Sequence, residues 1–447
     1  MNRGFAVEIL KLSKAASLVT RQEPIGSMKS SEARFNEAYP KKASRSLRIT
    51  KSKLANLKIA IMKLVENEMK QMRTGGLSGA LAPLVALAVV AMSGSVTPVA
   101  AKGIRVEPII GLNSVNWSSN AGFGSTAPGW YKEVGLVDPD VVHLQGAVKQ
   151  TSATGPNANL IGTLPAAASP DRVVYAVVHT FNGTYADIAI SPNGQIALIN
   201  PRAPAVKDYS FVSLEGITYE QFLPVGLPIT PNSLWSPNAG FGSGTPAWYE
   251  DGSFDVHLQG AMTQTSASAS NMLGTIVDGG APQNRVIFTI VHTFDGTYAD
   301  VAISPNGQVA LIDPRPPMVK DYSFVSLENI TYGDNAINSV SPNSTNWSFS
   351  AGFGSAAPGW YKDAFGIVHL IGAAKQTSAA GSDPNLLGTL PVAASPKRTV
   401  YTIVHTFNGT YADVAITPNG QITLIDPREP AVKDYSFVSL ECITYQQ

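Results

Sequence analysis

From residue 102 onward the chain repeats itself three times. Val-His-Thr-Phe recurs with His179, His292 and His405 at intervals of 113 residues. Each copy then continues alike, as in FNGTYADIAISPNGQIALINPRAPAVKDYSFVSLEGITY from Phe181, and the equivalent stretches start at Phe294 and Phe407. The front halves match too, with Ala-Gly-Phe-Gly at Ala121, Ala239 and Ala351 and Trp-Tyr at Trp130, Trp248 and Trp360. A period this long is a complete domain, whereas solenoid units run to about 20–50 residues. All six tryptophans and all six histidines fall at repeated positions.

Within each copy, short runs rich in Val, Ile, Tyr and Thr are broken by Pro, Asn and Gly, and no long segment carries the helical period. That is the pattern of an all-β chain with turns every ten residues or so. Seven or eight strands per copy predict an antiparallel β-sandwich or jelly roll. The clearest hairpin runs from Val173 through Asn182-Gly183 to Ile190, because Asn-Gly suits a two-residue type I′ turn. In that register His179 faces Ala186, and Tyr175, Val177, His179, Phe181, Ala186, Ile188 and Ile190 share one core face. Asp187 then lies on the opposite face.

The first hundred residues differ in kind. Residues 1–101 hold 16 Lys and Arg against 6 Asp and Glu, so the zero net charge of the 447-residue chain leaves the remainder at −10. An acidic body repels phosphate backbones, which argues against nucleic-acid binding. From Met72, a basic Arg73, an apolar run from Ala80 to Met92 and Val99-Ala100-Ala101 form the pattern of a secretory signal peptide cut before Lys102. An uncleaved type II anchor is the alternative, and membrane association is expected only through the N-terminal segment if it stays uncleaved, where the upstream basic helix could also lie on an anionic membrane. Residues 1–71 are read either as a basic, partly helical extension, with Leu54, Leu57, Ile61, Leu64 and Val65 at helical spacing, or as sequence upstream of a start at Met72. The expected domains are therefore an extension (1–71), a signal peptide (72–101) and β-sandwiches at 102–225, 226–338 and 339–447. With Cys442 as the single cysteine, no intrachain disulfide forms.

The order Trp-Tyr-Lys at Trp130, Val-His-Leu-x-Gly at Val142, Leu-Ile-Gly-Thr-Leu-Pro at Leu160, Pro-Asp-Arg at Pro170, Pro-Asn-Gly-Gln at Pro192 and Phe-Val-Ser-Leu-Glu-Gly-Ile at Phe211 resembles the receptor-binding head domains of bacteriophage tail fibres and baseplates. The resemblance covers most of each copy. The second copy departs from it at Ile276-Val277, and Cys442 stands where the first copy has Gly216. It implies the fold and a role in surface recognition. Such heads commonly work as homotrimers, so the three copies are expected either to form a pseudo-trimer within one chain or to hang as beads on linkers such as Glu220–Pro231.

Residues for chemistry are sparse. His143 and His179 fall on different sides of the sandwich in the register above, so neither a metal nor another cofactor is expected. A triad of His179, Asp187 and Ser213 fails because Asp187 faces away from His179. A glycosidase pair would have to come from Asp187, Asp208 and Glu215, and nothing in the sequence brings them together. The aromatic cluster is more informative. Trp130 with Tyr131, Trp248 with Tyr249 and Trp360 with Tyr361 follow a Gly-rich segment, and such rings on loops stack on sugars. These six are the candidate ligand-binding residues, with core packing as the competing role for the tryptophans.

The expectation is a secreted or cell-surface, non-catalytic protein that binds a glycan or surface polymer through three modules. Two other readings stay open: a structural surface-layer or fibre component whose repeats bind each other, and a secreted hydrolase.

Overall fold

In the computed structural model, residues 105–447 are described except 110, 120, 134–139, 182–183, 200–208, 223–225, 238–239, 267–270, 278, 295–296, 313–321, 336, 408–409 and 426–434. The expected extension and signal peptide (1–101) and Asp208 thus lie outside the described residues. Among the described residues every regular element is a β-strand. In the first copy these are β1 (Glu107–Pro108), β2 (Trp117–Ser118), β3 (Gly129–Glu133), β4 (Val141–Gln145), β5 (Ala147–Gln150), β6 (Leu160–Thr163), β7 (Val174–Thr180), β8 (Thr184–Ile190), β9 (Gln195–Ile199), β10 (Val212–Ser213) and β11 (Thr218–Glu220).

The strands pair antiparallel in two sheets, β1-β3-β4-β11 and β2-β5-β10-β7-β8-β9-β6. The second and third copies repeat this plan and add one short edge strand, Thr230–Pro231 or Ser341–Pro342, to the larger sheet. The sheets of the first copy enclose Trp117, Trp130, Val142, Leu144, Val148, Ile161, Val174, Val178, Ile188 and Leu198, and the other copies have equivalent cores. Each copy is therefore an antiparallel β-sandwich.

The central hairpin differs from its expected register. Thr180 pairs with Thr184, His179 with Tyr185 and Val177 with Asp187, so the connection takes three residues, not two. A one-residue slip carries a strand's side chains to the other face. Val174, Ala176, Val178, Ala186, Ile188 and Ile190 therefore point into the sandwich. Tyr175, Val177, His179, Tyr185, Asp187 and Ala189 share the opposite face, which puts Asp187 beside His179's side of the sheet. Both faces are buried, so polarity does not alternate along the strand and the register cannot be read from it.

The second buried face exists because the copies pack on one another, all within the unit Gly79–Gln447. Tyr185, Tyr298 and Tyr411 meet edge to face with centroids 5.0, 5.2 and 5.3 Å apart, a nearly equilateral triangle that marks a pseudo-threefold axis. Val177, Ile290 and Ile403 back it. Around this axis each contact occurs three times and the third closes onto the first. His179 Nδ1 meets Asp413 at 2.8 Å, His292 meets Asp187 at 2.9 Å and His405 meets Asp300 at 2.8 Å. Ser213 Oγ donates to the Tyr401 carbonyl, Ser326 to that of Tyr175 and Ser439 to that of Phe288.

Running the other way round the ring, Arg172 pairs with Glu328, Arg285 with Glu441 and Arg398 with Glu215. The same glutamates fix the turn after the Val-His-Leu-x-Gly strand: Glu215 accepts the Gly146 N–H at 2.7 Å, and Glu328 and Glu441 do so for Gly260 and Gly372. Gly146 has φ +80°, and a Cβ there would stand 2.3 Å from the Ala127 carbonyl oxygen. Only glycine makes that turn without strain. Two of the recurring motifs thus serve the joint between copies.

Candidate functional site

Adjacent residues on a strand point to opposite faces, and this sorts each Trp-Tyr pair. Trp130, Trp248 and Trp360 enter the sandwich cores. Tyr131, Tyr249 and Tyr361 point the other way and stack on His143, His257 and His369, with centroids 4.7, 4.9 and 4.6 Å apart and planes within 7°. All six rings are at most 9% exposed. The expected sugar-stacking platform at Trp130, Tyr131, Trp248, Tyr249, Trp360 and Tyr361 is thereby corrected. These residues sit in strands covered on both faces, not on open loops.

The outward aromatic of the Gly-rich segment is its phenylalanine. Phe123, Phe241 and Phe353 are 57–59% exposed and hold φ of 53–55° between glycines that are also left-handed. Bulky residues rarely adopt positive φ, and such backbone persists only where the surroundings enforce it. Here the enforcement comes from the next copy: Thr399 N–H donates to Gly124, Val173 to Gly242 and Val286 to Gly354. Each ring lies tilted by 33–34° against Phe181, Phe294 or Phe407 at 3.9–4.0 Å and meets Phe211, Phe324 or Phe437 edge to face at 5.8–5.9 Å, while more than half of the residue stays exposed.

Polar clefts lie elsewhere on the surface. One of about 270 Å³ is lined by Asn343, Thr345, Asn346, Ser382, Asp383 and neighbours, and one of about 550 Å³ by Asn157, Asn159, Gln195 and neighbours. Asn116 and Asn346 are buried and bond main-chain carbonyls beside these clefts.

The stacked histidines form a second buried centre where the three copies meet. His143 Nε2 lies 2.6 Å from Glu133, His257 Nε2 2.9 Å from Asp251, and His369 Nε2 3.2 Å from Asp363 and 3.3 Å from Asp255 of the second copy. Thr218 and Thr331 hydroxyls meet Nδ1 of His143 and His257, whereas His369 Nδ1 has no such partner. His143 is thus covered by neighbouring copies and only 2% exposed. Burial holds it down at about 3 and, with the Asp363 and Asp251 charges, pushes Glu133 up. Burial also opposes a charge on His369, but Asp255 and Asp363 outweigh it and lift that ring to about 9.

Among the described residues that could serve hydrolysis, no accessible nucleophile and base come together. Ser213 bonds a main-chain carbonyl, Asp187 bonds the histidine of another copy, and Glu215 is held by Arg398 and the Gly146 N–H. The sequence reading missed Asp255, which fills a position occupied by Val141 and Ile367 in the other copies. That break in the repeat was the available signal.

The fold and its joints define a class: a single-chain β-sandwich trimer, closed by pseudo-threefold contacts. Compared with known proteins, the chain matches no family model, no curated sequence and no solved structure.

Proposed function

We propose that this chain is an exported, non-catalytic recognition head in which three β-sandwiches, fused in tandem, replace the three protomers of a homotrimer. The supporting observation is the closed ring itself, which holds Phe123, Phe241 and Phe353 outward in equivalent, strained loops. Three weak sites on one rigid body gain avidity toward a repetitive polymer without any one site being tight. Exposed rings beside glycine backbone suit the apolar face of a sugar. The resemblance to phage receptor-binding heads, which commonly trimerise, points the same way.

The test is a glycan-array and polysaccharide pull-down with the full chain and with Phe123→Ala, Phe241→Ala and Phe353→Ala combined. The expected result is binding by the parent and at least a tenfold loss in a variant with unchanged circular dichroism. A folded parent that binds no polymer would refute the reading. A structural fibre component is the second reading, favoured by the Tyr-His faces that join the copies internally. Concentration-dependent assembly seen by light scattering, without glycan binding, would support it.

A further inference from the structure

The structure assigns a binding site for one divalent transition-metal ion of the zinc class to His369 Nε2, Asp363 Oδ2 and Asp255 Oδ2, where the second and third copies meet. The three ligand atoms all lie within 4.8 Å of one another. The two nitrogen–oxygen separations, 3.2 and 3.3 Å, are long for a charged hydrogen bond, and the equivalent contacts in the other copies are 2.6 and 2.9 Å. They match the edge of a tetrahedron around an ion with ligands at about 2.0–2.1 Å, which is roughly 3.3 Å.

Asp255 is the independent sign. Its residue is fully buried, it replaces an aliphatic side chain of the other copies, and its Oδ2 accepts no hydrogen bond. A carboxylate in such a place is costly unless its charge is compensated. Its other oxygen accepts the Tyr361 hydroxyl at 2.7 Å and the Asn335 amide at 3.2 Å. Asp363 is held likewise, with Oδ1 accepting the Phe365 and Ile367 N–H groups at 2.8 Å each. Both carboxylates are therefore oriented through one oxygen with the second turned to His369, which is how outer contacts set metal ligands. Stacking on Tyr361 fixes the imidazole. One imidazole and two carboxylates neutralise a divalent charge. The nitrogen donor and low ligand number favour zinc or cobalt over calcium, which takes 6–8 oxygens.

The test uses the full chain, stripped with chelator, then titrated separately with Zn²⁺ and Co²⁺ by calorimetry and, for cobalt, by visible absorption. One equivalent per chain is expected, with an intense tetrahedral cobalt spectrum and a raised melting temperature in zinc. Asp255→Val, which restores the residue of the first copy, is expected to fold and to weaken binding at least 100-fold. Asp255→Asn serves if the valine variant does not fold. Absence of stoichiometric binding by the folded parent, or equal affinity in the Asp255 variants, would overturn the assignment and leave an ion pair on a protonated His369.

Discussion

Cutting Arg398 back to alanine strands Glu215 at the joint between the first and third copies. The guanidinium holds the carboxylate through two bonds, Nε to Oε1 at 2.6 Å and Nη2 to Oε2 at 2.7 Å, with side chains only 7% and 2% exposed. An exposed pair of this kind contributes about 0–1 kcal/mol. Removing one partner of a buried pair costs about 3–5 kcal/mol, because the remaining charge has lost both water and its counter-ion. Unfolding entropy of about 2.1 cal/mol/K per residue over roughly 340 residues turns 4 kcal/mol into a melting-point fall of about 6 °C. Arg172→Ala should match it, since its bonds to Glu328 are 2.7 and 2.9 Å, and Arg285→Ala should cost less, with bonds of 3.0 and 3.5 Å. Calorimetry and urea unfolding of Arg398→Ala, Glu215→Ala and the double variant measure this. In the double variant the loss should be smaller than the sum of the singles by at least about 1 kcal/mol. Additive effects, or an Arg398→Ala cost under about 1 kcal/mol, would refute a closed, desolvated joint and return the copies to independent beads.

Three further outcomes follow from particular contacts. Gly146→Ala forces a Cβ against the Ala127 carbonyl at positive φ and should destabilise by about 2 kcal/mol or more, with Gly260→Ala and Gly372→Ala behaving alike in denaturant titrations. Glu220 is pushed up to about 8, by burial more than the nearby Arg172 offsets. An acid with a raised folded value favours the native state while protonated, so its contribution is lost as pH rises from about 4.5 through about 8. Glu220→Gln should raise the melting temperature at pH 9 and leave it nearly unchanged at pH 5, and an equal shift at both would contradict this. Burial pushes the Cys442 thiol up to about 12, so alkylation by iodoacetamide at pH 8 should run far slower in the native protein than in urea. Comparable rates in the two states would show an accessible thiolate.

The sequence by itself determined the all-β class and the threefold repeat, because strand propensity and turn residues act over a few positions and an internal alignment needs no coordinates. It also marked the residues that matter. The arginine after Pro170, the Val-His-Leu-x-Gly turn and the Ser-Leu-Glu strand were visible as motifs, and the structure shows them closing the ring through Arg172, Gly146 and Glu215. What they touch was not legible, since Arg172 reaches Glu328 and Arg398 reaches Glu215, 156 and 183 residues away in other copies, and Glu215 meets the Gly146 N–H 69 residues away in its own. Only tertiary packing decided the hairpin register, because a strand buried on both faces carries no alternation to count. The same packing turned the Tyr-His faces into the place where three copies meet, and set Asp255 beside His369. Burial by another domain is a property of the assembled chain, and no local pattern encodes it.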